Sequence, residues 1–436
     1  VQIETLGHAV MLLSEAEGAP ILATDPWLVG STYWRSWWVE NYPTPDEIAR
    51  IASARFLYLT HEHPDHLHPP SLRRIAEVAA TRPQVLVPDF LEMKMADYLA
   101  AQGWQVRRLK ARQWTELQPG VRVMALPIWN NDSILLIETP DALIINLNDA
   151  KPGKAALDQL GDLKQRIGKR CVLLRSYSPA GPSNNYFRNG QRLLAGKQGN
   201  LNAVRGACQR TLADDFIPFA SQVVFRRPDT DWANDFKVRY ADLAESWQLK
   251  TTRLLRPYSR LDLSTGEASA QDPASFNPGV NTRTQQLVAE QAEANAAAVW
   301  TAEDTGRLEE QLRSIRWLLA VLLPKGFDIE AGEAHLTWKP WAARLVTGAA
   351  TGGHFTLKVP LLPLKEAVTY GHVGDLSIPM FTEIHLDART QPGRGDVFFM
   401  LLILRDYGYL GSLRKSGRWG LWALGGLLKG RRPLPR

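Results

Sequence analysis

Cysteine is scarce in this 436-residue chain. Cys171 and Cys208 are the only two, too few for a disulfide framework, a Cys-rich zinc module or an iron-sulfur cluster held by four thiolates. A reducing, cytoplasmic setting fits. No run of ~18 apolar residues without charges occurs, so no membrane-spanning helix is expected. The opening VQIETLGHAVMLL has no basic lead before its apolar run and no small-residue cleavage site, so no signal peptide is expected. Neither charge sign dominates: 51 Lys and Arg against 45 Asp and Glu leave a formal +6. That balance is compatible with anionic partners without requiring them, and gives no reason to expect nucleic acid binding. What is present is an ordinary globular composition, 45% hydrophobic and 22% charged, over a length sufficient for about two or three domains of ~150 residues.

Periodicity divides the chain. Up to about residue 150, short strands alternate with turns and helices. AVMLLS and PILATD make a hairpin around EAEG, RFLYLT and QVLVP are strands, SLRRIAEVAA is an amphipathic helix, and DSILLIE with ALIINLND forms a second hairpin. Paired strands interleaved with helices imply a layered α/β arrangement, sheets packed face to face inside helices. Strands recur at CVLLRSY and SQVVFR. Residues 259–284 are rich in Ser, Asp, Pro and Asn and read as an exposed linker or long loop; the stretch from Gln285 to Leu323 reads as two helices. After Lys325 alternation returns in AHLTWKPWAARLV, HFTLKVPLL, FTEIHLD and VFFMLLILRDY, predicting a small β-rich C-terminal domain. The expected domains are 1–250, a linker with helices over 251–325, and 326–436. The tail combines Trp419, Trp422 and leucines with Arg414, Lys415, Arg418, Lys429, Arg431 and Arg432, a composition that suits either a membrane interface or a helix docked on its own domain.

Four of the nine histidines crowd into one loop, FLYLTHEHPDHLH. His61 and His63, separated by one residue at a strand end, can point the same way because the side-chain period is two. Asp65 and His66 follow in a turn stiffened by Pro64 and can serve a second ion nearby; imidazole with carboxylate suits zinc, iron or manganese. Clustered imidazoles need partners, which argues against a merely polar loop.

THEHPDH after RFLYL, with GHAVMLL and ILATDPWL upstream, resembles the metallo-β-lactamase superfamily over about residues 1–250. The resemblance implies an αββα sandwich with a dinuclear metal site at the sheet edges. It implies His61 and His63 as ligands of the first metal, Asp65 and His66 of the second, and Asp149 as a bridging carboxylate; His8, in GHA, belongs to a loop near the metals in some branches. The stretch from DPWLVGSTYWRSWW to the histidine motif, with LNDAKPG and IPFASQVVF, is similar to the metallo-β-lactamase-like portion of CMP-N-acetylneuraminate hydroxylases. The Cys-x-His and Cys-x-x-His pairs of that family's Rieske domain are absent from this sequence.

The family's hydrolytic members supply two further histidines, whereas no histidine lies between His68 and His335 here. Carboxylates, amides, waters or substrate then complete the sphere, with Asn130, Asn131 and Asp132 as nearby candidates, or else one of His335, His354, His372 and His385 swings in. A carboxylate-enriched, open site favours iron over zinc or manganese. Three functions are therefore carried: an iron oxygenase using O2 and electrons from a separate ferredoxin or Rieske-type donor, with a polar or anionic small molecule as substrate; a dinuclear hydrolase of a phosphoester or acyl substrate, with Asp65 or Asp149 orienting a metal-bound water; and a degenerate-site scaffold. For the substrate, Tyr177, Asn184 and Asn185 in a Pro/Asn/Gly loop and the pair Arg226 and Arg227 are candidates, with the alternative that the arginines pair with Asp229 and Asp231. Trp27, Trp34, Trp37 and Trp38 either wall a pocket or pack a core.

Overall fold

A computed structural model describes residues 1–178, 185–194, 196–270, 280–348, 352–429 and 433–436. Two sheets stack face to face. The first orders its strands as Ala268–Ala270, Ser259–Asp262, Gln2–Leu6, Val10–Ser14, Pro20–Thr24, Phe56–Tyr58, Gln84–Pro88 and Val106–Leu109; the second runs from Arg253–Leu254 through Asp215–Phe219, Arg170–Ser176, Ala142–Asn148, Ser133–Glu138 and Val121–Pro127 to Thr115–Gln118. Strands such as VMLLS and ALIINLN are buried on both faces, so they read as nearly continuous apolar runs.

Between the sheets, Ile3, Met11, Leu22 and Tyr58 meet Val123, Leu135, Ile144 and Leu174. Outside the first sheet, Ile48, Ile51, Leu72 and Ile75 of the Pro45–Ala52 and Pro69–Val78 helices pack on Val10, Leu57 and Val85. Outside the second, Leu157, Leu160 and Leu163 of Lys154–Ile167 and Val204 of Gln198–Thr211 cover Leu143, Ile145 and Leu173. Each such side chain contributes roughly 1.5–3 kcal/mol relative to exposure. The expected αββα sandwich is therefore present.

A third sheet forms the C-terminal body around Phe327–Ala331, Ala334–Lys339, Arg344–Thr347, Phe355–Lys358 and Glu383–Leu386. It takes two strands from earlier in the chain, since Asn185–Arg188 runs parallel to Glu383–Leu386, with Asn185 opposite Glu383.

Several expectations need correction. Residues 259–270 are not linker: Ser259–Asp262 pairs antiparallel with Gln2–Leu6 and buries Leu261, so a boundary at 250 falls inside the first body's sheets. Polar residues on an edge pair concealed its period of two. Residues 271–279 lie outside the described residues. Three helices, Val280–Ala297, Ala302–Arg313 and Arg316–Leu322, stand where two were expected, the break at Thr301 being set by its capping box with Asp304. VFFMLLIL belongs to a 15-residue helix, Pro392–Asp406; a short apolar run suits a buried helix as well as a strand, and Pro392 at the first turn favours the helix. No helix among the described residues is long and apolar enough to cross a membrane. The tail helix Leu413–Lys429 turns both tryptophans onto its own protein: the Trp419 indole donates to the Trp129 carbonyl at 3.1 Å, and Trp422 stacks on Tyr409.

Candidate metal centre

Two strand ends meet at the mouth of the sandwich. Pro20–Thr24 and Phe56–Tyr58 run parallel, and just past them Thr60 donates to Asp25 from its backbone N–H and from its hydroxyl, both at 2.8 Å. From the facing sheet, Asn148 donates to the same carboxylate and, at 3.1 Å, to Thr60 Oγ1. Asp25 and Asn148 both adopt positive φ, +38° and +48°, a backbone state that non-glycine residues hold only where their surroundings enforce it.

This buried platform orients the histidine loop. Because the Thr60 hydroxyl gives its hydrogen to Asp25, it accepts from His61 Nδ1 at 2.9 Å, which leaves a lone pair on His61 Nε2, 2.9 Å from His63 Nδ1. His66 is ringed by acids: its Nδ1 lies 3.3 Å from Asp25 Oδ2, and its Nε2 3.3 Å from both Asp65 Oδ2 and Asp149 Oδ2. Asp65 also accepts from the Tyr33 hydroxyl at 2.9 Å and has His8 Nε2 3.2 Å away, off the hydrogen-bond line. Asp132 lies 3.5 Å from His61 Nδ1 and accepts from the Ser133 N–H at 2.6 Å.

The electrostatics follow from burial and from crowding of charges. Burial opposes charge on His66, yet Asp65, Asp25 and Asp149 push its pKa well above the ordinary value. Burial, then His66 and His63, drive His61 well below its own; burial likewise lowers His63. Burial opposes the Asp65 charge too, but His66 and His8 hold it well below the usual carboxylate range. Burial with Asp149 nearby holds Asp132 well above it.

A cation fits this arrangement. His63 Nε2 and both ring nitrogens of His8 are buried without a hydrogen-bond partner, an expensive state for isolated imidazoles. Ligand atoms of His8, Asp65 and His66 lie within 4.8 Å of one another, as do those of His61, His66 and Asp149. These two overlapping triads put His8 beside Asp65 and His66, a tighter association than sequence suggested for it. His8, His61, His63, Asp65 and Asp149 line a cavity of about 300 Å³ together with Tyr33, Trp37, Tyr177 and Met380, while His66 is fully buried.

Facing sheets, flanking helices and a His-x-His-x-Asp-His loop opposite an aspartate at a strand end settle the architecture. This is a metallo-β-lactamase-like αββα sandwich. No family model matches the chain. It is 29% identical over 156 residues to the cytidine monophosphate-N-acetylneuraminic acid hydroxylase of Xenopus laevis, covering 34% of this chain and 26% of that protein. It is 38% identical over 76 residues to the inactive human homologue, covering 17% and 15% respectively. The matched part thus spans about a quarter or less of these two relatives. Among solved structures, similar metallo-β-lactamase-fold proteins include YhfI from Bacillus subtilis, with TM-score 0.39, 8% identity, and coverage of 60% of this chain and 99% of that one. Zn-bound PqqB from Methylobacterium extorquens has TM-score 0.34 and 13% identity, with coverage of 60% and 100%. A variant of CmlA beta-hydroxylase has TM-score 0.38 and 14% identity, with coverage of 62% and 54%.

Within this metallo-β-lactamase-like sandwich the remaining candidates separate. Asn130 lines the cavity with a buried, unpartnered Oδ1; Asn131 instead accepts from the Tyr409 hydroxyl. Tyr177 lines the cavity. Asn185 does not: it spans the third sheet, donating to the Met380 carbonyl at 3.0 Å and accepting from Arg192 at 2.9 Å. Asn184 lies outside the described residues. For Arg226 and Arg227 the structure shows, in part, the alternative of pairing with a nearby acid. Arg227 forks onto Asp229 at 2.8 and 2.5 Å, Arg226 is exposed, and neither lines the cavity. None of the four C-terminal histidines reaches the donor cluster: His335 is exposed, His354 meets Thr390, His385 stacks on Phe187, and His372 borders a neighbouring cavity. Within the loop itself, His68 pairs with Ser71 at 2.7 Å and Glu62 faces that neighbouring cavity. Trp27 packs on His8 and His68, whereas Trp37 walls the cavity. Sequence reasoning missed Asp25, Tyr33, Thr60, Asn148 and Arg175. Asp25 and Tyr33 lie in the DPWLVGSTYWRSWW phrase, Thr60 opens THEHPDH and Asn148 lies in LNDAKPG, but no local pattern gave them a role, and none pointed to Arg175.

Proposed function

We propose that the chain is an iron-dependent oxygenase of hydroxylase type, acting on a polar or anionic small molecule. The observation that carries this reading is the donor set: three imidazoles, His8, His61 and His63, line one cavity with the carboxylates of Asp65, Asp132 and Asp149, and a fourth, the fully buried His66, has its Nε2 3.3 Å from both Asp65 and Asp149. Mixed imidazole and carboxylate donors with open positions suit iron better than a saturated zinc site. The partial likeness to proteins named hydroxylases supports the same choice.

In this reading His61 and His63, with Asp65, His66, Asp149 and His8, would hold the iron. Bound iron supplies O2 activation. The chain's own residues do the rest. Tyr33 and His8 fix the Asp65 carboxylate, Thr60 fixes the His61 tautomer, and the Asp132 carboxyl, raised by burial, keeps its proton to higher pH than an exposed acid. Asp149, whose side chain is 32% exposed, is the acid of this group open to an incoming substrate. Electrons come from a separate ferredoxin or Rieske-type protein in the cytoplasm. Any peripheral membrane contact uses the exposed Leu413, Leu421 and Leu424 of the tail helix.

The test is metal analysis of protein purified anaerobically from iron-supplemented cells, beside a His63→Ala control. We expect about two irons per chain, lost or halved in the control, and ferredoxin-dependent O2 consumption by the wild type. Stoichiometric zinc instead would move the function to hydrolysis; no metal in either protein would leave a scaffold.

A further inference from the structure

The cavity beside the metal donors has a second chemical feature. Arg175 lies near the end of the Arg170–Ser176 strand, directly opposite Asn148 in the parallel register, so the topology sets it one strand away from Asp149. Lys151, two residues beyond Asp149, emerges at the same edge, and both side chains line the cavity. A guanidinium has five N–H donors. Arg175 commits Nη1 to the Ala203 carbonyl at 2.5 Å, while its Nε is buried without a partner. Among the described residues no carboxylate lies within ion-pair distance of either cation, whereas the buried Arg227 is matched by Asp229. Burial pushes the Arg175 pKa down, the mark of a desolvated cation without a counter-charge, which proteins rarely retain unless something compensates it.

We propose that Arg175 and Lys151 form an oxyanion-binding subsite that takes the carboxylate or phosphate of the substrate and orients it towards the metal donors. This rests on the reading of the cavity as a substrate chamber. Arg175 presents its remaining N–H groups as a fork that matches two oxygens, and Lys151 adds a mobile point charge at the mouth. Asn200 and Ser176 line the same cavity and can hydrogen-bond further oxygens. A volume of about 300 Å³ is at the small end for ligand sites and admits an acid on a short carbon frame.

The experiment is isothermal titration of the full chain with sodium phosphate and, separately, sodium pyruvate at low ionic strength, on wild type, Arg175→Gln, Arg175→Lys, Lys151→Gln and His63→Ala. We expect saturable binding of one or both anions, the preferred one separating phosphate from carboxylate chemistry. Affinity should fall about tenfold or more in Arg175→Gln, less in Arg175→Lys, and about threefold in Lys151→Gln. Lys151 is exposed, so its variant serves as the test if circular dichroism shows Arg175→Gln to be misfolded. Binding unchanged in the cation variants, or no binding of either anion to wild type, overturns the subsite. Binding lost in His63→Ala but unchanged in Arg175→Gln also overturns it, with the anion then resting on metal and the metal reading intact. A metal-free chain that still binds anion through Arg175 would leave the subsite standing and remove the oxygenase.

Discussion

Asp25 ties both sheets to the histidine loop through one carboxylate. It accepts from Thr60 twice and from Asn148, and faces His66 Nδ1 at 3.3 Å, all with no exposure to solvent. Replacing it with Ala leaves these buried groups unsatisfied. Asp25→Ala should therefore lose about 2–4 kcal/mol of stability and weaken metal binding by about 10–100-fold. Denaturant unfolding and competitive chelation would measure the two effects, and unchanged metal affinity in a folded variant would remove Asp25 from the site. Sequence gave the ligand candidates because they are adjacent in one loop. Asp25 and Asn148 are 123 positions apart, and a hydrogen bond across that gap leaves no local pattern. The arginines teach the same lesson: Arg226 and Arg227 lie in a suggestive phrase, but Asp229 neutralises one and solvent takes the other, while Arg175 sits in an unremarkable strand end.

At the scale of elements, close approach matters more than propensity. Gly161 sits in the Lys154–Ile167 helix, where a Cβ would come within 2.2 Å of the Arg210 carbonyl oxygen at the end of the Gln198–Thr211 helix. Gly161→Ala gains up to about 1 kcal/mol of helix propensity, but the clash forces the two helices apart. A net destabilisation of about 1–3 kcal/mol is expected, read as a lower midpoint in urea; a stabilised variant would show that the helices separate freely. Strands between the stacked sheets were legible because both faces are apolar. The Pro392–Asp406 helix was not, because eight apolar residues in a row carry neither period.

Over the whole molecule, the C-terminal body completes the mouth of the sandwich. Ile378 and Met380 line the metal-side cavity, the Tyr407 ring lies 6.2 Å from that of His63, and Ser36 donates to the Pro379 carbonyl at 2.8 Å. A fragment ending at residue 270 would expose these contacts and the strand Asn185–Arg188. It should be less soluble than the full chain and retain less metal, as size-exclusion chromatography and metal analysis would show. The chain's early and late segments are also joined electrostatically. Glu4 pairs with Arg50 at up to 3.1 Å and with Arg260 at 3.2 Å. Burial raises its pKa, but the two arginines outweigh burial and the net shift is downward. A lowered folded-state pKa means that this contribution is present above the unfolded value of ~4.3 and is lost as pH falls through the folded one. Glu4→Gln should thus cost about 1–3 kcal/mol near pH 7, with the difference shrinking below about pH 4. A difference that grows on acidification would contradict the pairing.

The sequence by itself determined the layered fold and the cluster of His61, His63, Asp65 and His66, because apolar periodicity and ligand spacing are local properties of the chain. Tertiary structure decided which distant groups serve that cluster: Asp25, Tyr33 and Asn148 around the acids and imidazoles, Arg175 rather than Arg226 or Arg227 on the cavity wall, and no histidine from the C-terminal body. Those choices depend on which strand ends meet and which charges find counter-ions, and both are fixed only when the sheets stack.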